Sequence, residues 1–87
     1  MYYVYVIKSR IDHNLYIGYT GDLKKRLSEH NHGKTKSIKH RVPFDLIYYE
    51  AFRAKKDARI RELELKKNNF AKEQMKDRLK DSLIDTI

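Results

Sequence analysis

Tyr2-Tyr3-Val4-Tyr5-Val6-Ile7-Lys8, followed after six residues by Leu15-Tyr16-Ile17-Gly18-Tyr19-Thr20, is the stretch from which the fold can be read. Both runs are rich in Tyr, Val and Ile. The residues between them, Ser9-Arg10-Ile11-Asp12-His13-Asn14, include several turn formers. That pattern predicts a β-hairpin over 2–8 and 15–20 with a loop of several residues. Alternation puts Tyr3, Tyr5 and Ile7 on one face of the first strand. In the second, Tyr16, Gly18 and Thr20 share a face opposite Leu15, Ile17 and Tyr19. A glycine inside a strand marks the close approach of a ligand or another backbone. Gly18 does so on the face of Tyr16.

Thr20-Gly21-Asp22 offers capping side chains ahead of Leu23 and Leu27, so a helix is expected over about 22–32, ending at Gly33. Residues 34–43 are polar and basic and close with Pro43, which predicts an irregular loop. Leu46 to Phe52 reads as a third strand. Ala54 to Lys67 patterns as a helix without Gly or Pro, Asn68-Asn69 interrupts it, and Asn69 can cap a last helix through Phe70, Met75 and Leu79. The order β-β-α-β-α-α predicts an α+β fold, with a three-stranded antiparallel sheet flanked by helices.

The chain has 87 residues, enough for one domain over 1–87 and no second core. Such a chain buries roughly 60–65% of the surface that it exposes when unfolded, so its seven tyrosines and three phenylalanines must supply much of the core. With no cysteine, neither disulfides nor a thiolate zinc site can hold the fold. The opening residues lack a basic leader and a cleavage site, and the apolar run is too short for a bilayer. A cytoplasmic protein is expected, with no membrane partner.

The formal net charge of +8 is unevenly placed: residues 21–43 hold seven Lys/Arg against two Asp/Glu. A concentrated basic surface favours polyanions, nucleic acid first among them. Lys34, Lys36, Lys39 and Arg41, with Thr35 and Ser37, form a flexible polycationic loop suited to phosphates rather than base edges. It could equally be an ordinary solvated loop.

Arg26 follows Tyr16 by ten residues, His30 lies one helical turn on, and Glu62 stands on a basic helix downstream. A phenol, a guanidinium, an imidazole and a carboxylate are the groups that hydrolysis of a phosphodiester with one metal ion requires. Each has a plainer reading. Tyr5 is by default a core residue with a bonded hydroxyl, Arg26 a solvated charge, and His30 a packing or capping residue. Glu62 shares a helical stripe with Ala58 and Leu65, where a carboxylate must be paired or bound to metal. Arg59 and Lys66 stand at pairing distance along the helix, so both readings stay open.

Taken together, Tyr3-Val4-Tyr5, Tyr16-Ile17-Gly18, Arg26, His30 and Glu62 resemble the motif of the GIY-YIG endonucleases, the catalytic module of homing endonucleases and of the excision-repair nuclease. The likeness runs from Tyr2 to about Lys80. The second half-motif is intact, and Tyr3-Val4-Tyr5 stands where Gly-Ile-Tyr is usual, as in small single-domain members. The resemblance implies a divalent-metal-dependent endonuclease acting on DNA, structure-directed or non-specific, in repair or recombination. Glu62 would bind one Mg²⁺ or Mn²⁺, Arg26 would clamp non-bridging oxygens, and Tyr5 and Tyr16 would orient or deprotonate water. A phenol titrates near 10, so Tyr16 needs neighbouring cations such as Lys24, Lys25 and Arg26 to serve as base. His30 would assist proton transfer, Gly18 would give the scissile phosphate access, and Lys34, Lys36, Lys39 and Arg41 would track the substrate. Large members use a late asparagine, for which Asn68 and Asn69 are candidates by type only. Without a recognition module, targeting would come from a homodimer or a protein partner.

Two rivals remain. A non-catalytic nucleic-acid-binding module would keep the fold and the basic surface. An adaptor would use Phe70, Met75, Leu79 and Leu83 of the last helix as an apolar contact.

Overall fold

In the computed structural model, residues 1–84 are described. Strand β1 spans Tyr2–Ser9, β2 Leu15–Thr20 and β3 Phe44–Phe52. Helix α1 spans Leu23–Asn31, α2 Lys55–Lys67 and α3 Asn69–Arg78, with a short 3-10 turn at Lys39–Arg41. The sheet order is β2-β1-β3 with both pairings antiparallel, so the first strand is the central one. The expected α+β architecture and element order are those observed.

Alternation along β1 divides the apolar residues between two cores. Val4, Val6 and Ile17 meet Ala58 and Leu65 of α2, Met75 of α3 and Leu79 on one face. On the other, Tyr5, Ile7, Phe44 and Ile38 pack with Tyr16, Leu23 and Leu27, beneath α1. Tyr5 lies opposite Gly18 of β2 and Tyr49 of β3, and Ile7 lies opposite Tyr16. A register shift after Val6 carries Ile7 past Ile47 to Leu46.

Helix ends follow from local chemistry. The Asp22 carboxylate accepts from the Lys25 N–H at 3.1 Å and starts α1. Gly33 follows the helix at φ +71°, a left-handed conformation that suits glycine. Asn68, not Asn69, caps α3, accepting from the Ala71 N–H at 3.1 Å. Asn69 is instead the first residue of that helix.

One expectation for the chain after α1 is corrected. The loop is not a free polycationic arm. Ile38 is 5% exposed within the second core, and the Asn31 carboxamide bonds both the N–H and the C=O of Phe44 at 2.7 and 3.1 Å. Arg41, expected on the substrate track, is engaged within the fold: its Nε donates to Asp12 Oδ2 at 2.7 Å and its guanidinium lies 5.5 Å from the Phe44 ring centre. The adaptor reading also loses its surface, since Met75 and Leu79 are buried in the first core and Leu83 packs against it. Of that set only Phe70 stands exposed.

Candidate active site

Tyr5 is the hub. Its side chain is buried, and its hydroxyl lies 2.6 Å from His30 Nε2. The expectation that Gly18 leaves room for a phosphate is corrected by the register. A Cβ on Gly18 would sit 2.3 Å from both Cζ and Oη of Tyr5, so the Tyr5 ring itself fills that space. The glycine exists to let a tyrosine from the central strand cross its neighbour.

His30 is the one buried residue of α1. Tyr16 meets its ring edge-on at 5.3 Å between centres, and Phe44 borders it at 6.3 Å. Thr35, which sequence reasoning passed over as part of a basic loop, places Oγ1 3.1 Å from His30 Nδ1. Both ring nitrogens are therefore bonded. A neutral ring carries one proton, so either Tyr5 donates to Nε2 while Nδ1 donates to Thr35, or the chain runs in reverse. No local sequence signal reveals Thr35, because its partner is reached only through the turn after α1.

Burial pushes the Tyr5 phenol up to about 12, against the pull of the neighbouring Arg26 guanidinium. Near neutral pH this hydroxyl stays protonated. Burial lowers the His30 imidazole, and the Arg26 charge lowers it further. The ring is neutral at pH 7 and can accept a proton.

This depression has a consequence for stability. An unfolded chain protonates its histidine near 6.5, above the folded value. Between the two the unfolded state binds more protons, so the contribution is full above about pH 6.5 and is lost as pH falls toward the folded pKa. Thermal melts should drop in midpoint from about pH 7 to about pH 5, and His30→Gln should flatten that slope. An equal slope in both proteins would assign the effect elsewhere. Asp12, held down first by the Asn14 N–H, and Asp45, held down by Arg10, act at lower pH.

Arg26 lies a turn before His30 on α1 with 38% of its side chain exposed, and its Nη1 is 3.5 Å from Glu29 Oε1. It borders an open cleft of about 430 Å³ with Lys25, Glu29, Tyr19 and Thr20. Its charge reaches the Tyr5 phenol, as does that of Glu62. His30 bonds Tyr5, Tyr16 borders the His30 ring, and Arg26 and Glu62 act on the Tyr5 phenol by charge, so groups from β2, α1 and α2 bear on a residue of β1. Lys34, Lys36 and Lys39 are exposed.

Glu62 is 12% exposed and carries both pairings open to it from sequence: Lys66 Nζ at 2.9 Å from Oε2 and Arg59 Nε at 3.9 Å from Oε1. The preceding residue, Arg61, ties α2 to β3 by donating to both oxygens of Glu50 at 2.9 and 3.1 Å. Glu50 also accepts from the Tyr48 hydroxyl at 2.7 Å. This anchor, also unseen in sequence, fixes the helix that carries Glu62. Among the described residues no group of three or more His, Cys, Asp or Glu could hold a metal by itself. A single carboxylate, with water and substrate phosphate completing the shell, is nevertheless a donor set that Mg²⁺ accepts. Glu62, partly open and paired only to exposed cations, fits such an ion.

The element order, and the order of the candidate residues along β1, β2, α1 and α2, are those the sequence motif led one to expect. A family model, the GIY-YIG catalytic domain, matches residues 1–76, and the chain belongs to this family of nucleases. UPF0213 proteins of Streptococcus pyogenes serotypes M3 and M1 are 48% identical over 66 residues, 75% of this chain and 71% of theirs. The solution NMR structure of a UPF0213 protein from Bacillus halodurans is 37% identical, with a TM-score of 0.54. That match covers 86% of this chain and 82% of the other. Among the described residues no helix is long and apolar enough to cross a membrane.

Proposed function

We propose that this chain, acting as a single domain, is a divalent-metal-dependent endonuclease that hydrolyses phosphodiester bonds in DNA. The observation that carries the reading is the buried Tyr5–His30 hydrogen bond, with Arg26 and Glu62 in electrostatic reach of the same phenol.

Arg26, beside an open cleft, holds the non-bridging oxygens with its planar fork. Glu62 holds one Mg²⁺ or Mn²⁺. When bound, that ion supplies positive charge for the departing 3′ oxygen and the phosphoryl group. Tyr5 stays protonated and holds His30 by its hydrogen bond. Tyr16, partly exposed beside the His30 ring, is the phenol that meets the attacking water; the Tyr5 hydroxyl relays the proton, passing its own to Nε2 of neutral His30 and taking the water's in its place. Lys34, Lys36 and Lys39 steer the backbone toward the cleft by charge alone, so binding weakens steeply with salt. Arg41 joins that track through the part of its guanidinium left by the Asp12 pair.

Branched, damaged or non-specific DNA is the expected substrate, in repair or recombination in the cytoplasm, with targeting through a second copy or a protein partner. The test is cleavage of supercoiled plasmid and branched DNA with Mg²⁺ or Mn²⁺ and with chelator. Nicking that chelator abolishes is the expected result. Salt-sensitive binding without turnover on either substrate would instead favour a non-catalytic binding module.

A further inference from the structure

A second concavity adjoins the Arg26 cleft. It encloses about 510 Å³, walled by Tyr3, Tyr49, Leu23, Leu27 and Leu46, with Lys24 among its lining residues. The Tyr3 and Tyr49 rings meet edge to face at 5.8 Å and 70°, and Tyr49 is 50% exposed. These rings lie on the sheet face that α1 covers only in part. The helix packs Leu23, Leu27 and His30 over Tyr5 and Ile7, and the sheet beyond it stays open.

The groove and the cleft share Gly21 and Asp22. Three consecutive cations of α1 divide between them: Lys24 borders the groove, Lys25 and Arg26 the cleft. Of the two acidic groups here, the Asp22 carboxylate accepts from the Lys25 N–H as the helix cap, and Glu29 of the cleft lies 3.5 Å from the Arg26 guanidinium. An aromatic wall with an apolar floor, one step from a guanidinium, matches a planar base attached to a phosphate. Strand-binding proteins combine these elements, stacking bases on rings while cations follow the backbone.

We propose that the Tyr3–Tyr49 groove receives one unpaired nucleobase of the strand whose phosphate lies at Arg26. This rests on the nuclease reading of that cleft and names the substrate class: DNA with an unpaired base next to the scissile phosphate. A duplex must first unstack a base to fill the groove, so unpaired strands bind better.

Binding is read by fluorescence anisotropy in chelator, without turnover, using a labelled single-stranded oligonucleotide and the matching duplex. Tyr49→Ala should weaken single-strand binding about tenfold, the order of one base–aromatic stack. It should leave the duplex and the salt dependence unchanged, because no phosphate contact is lost. Tyr49→Phe, which keeps the ring, should bind like the wild type. Unchanged single-strand affinity in Tyr49→Ala, or an equal loss on both DNAs, overturns the groove. Plasmid nicking by the same proteins reports on the nuclease reading separately, so each can fail without the other.

Discussion

Glu62→Ala should lower metal-dependent cleavage by about a thousandfold or more while leaving the fold in place. The size follows from the charge that the ion supplies at the transition state, several kcal/mol, at about 1.4 kcal/mol for each factor of ten. The fold should survive because the Glu62 pairs are cheap to lose. Lys66 and Arg59 have 41% and 59% of their side chains exposed, so each stays hydrated when the carboxylate goes. Such pairs contribute at most about 1 kcal/mol. A melting temperature within a few degrees of the wild type, together with lost nicking, is the result expected. The opposite pattern, an active enzyme with a sharply lowered midpoint, would make Glu62 a structural ion-pair residue and remove it from the metal site.

Gly18→Ala should destabilise the domain by about 3 kcal/mol, the upper range for forcing extra atoms into a packed core. For a domain of this size that lowers the melting temperature by roughly 10–20 °C. The new Cβ meets Cζ, Oη and Cε1 of Tyr5 at 2.3, 2.3 and 2.8 Å. Carbon atoms pack at about 3.5–4.0 Å, and the ring cannot withdraw because its hydroxyl is bonded to buried His30. Tyr5→Phe would not relieve the clash, since two of the three atoms remain. Tyr5→Leu would, so Gly18→Ala combined with Tyr5→Leu should be more stable than the sum of the single losses predicts. Strict additivity would show that the two positions do not compete for space. Gly21→Ala is the control: its nearest neighbour is a Tyr2 ring carbon at 3.9 Å, an ordinary contact.

The hairpin and all three helical stretches were legible because each rests on local periodicity and caps. The candidate site residues were legible because their order along the chain is distinctive. What escaped depends on contacts between distant segments. That β1 sits between β2 and β3 cannot be read from either hairpin strand alone. The partner of Gly18 follows from the register, and the register turned an apparent opening for phosphate into the berth of Tyr5. Arg41 looked like free charge because Asp12, 29 residues earlier, is brought beside it only by folding. Thr35 was hidden in the same loop, and the Arg61–Glu50 anchor spans two elements that sequence spacing does not relate.

The burial of His30 bears on how this domain can drift. Helix α1 has no other buried side chain, so the imidazole is also the peg that seats the helix on the sheet. A descendant that abandons chemistry is still under pressure to keep Tyr5, Gly18 and His30, because losing any of them disturbs packing. Arg26 and Glu62, partly open to water, carry no such obligation and are free to decay first. Retention of the buried trio in a homologue therefore records an inherited shape, whereas retention of the guanidinium and the carboxylate records continued use.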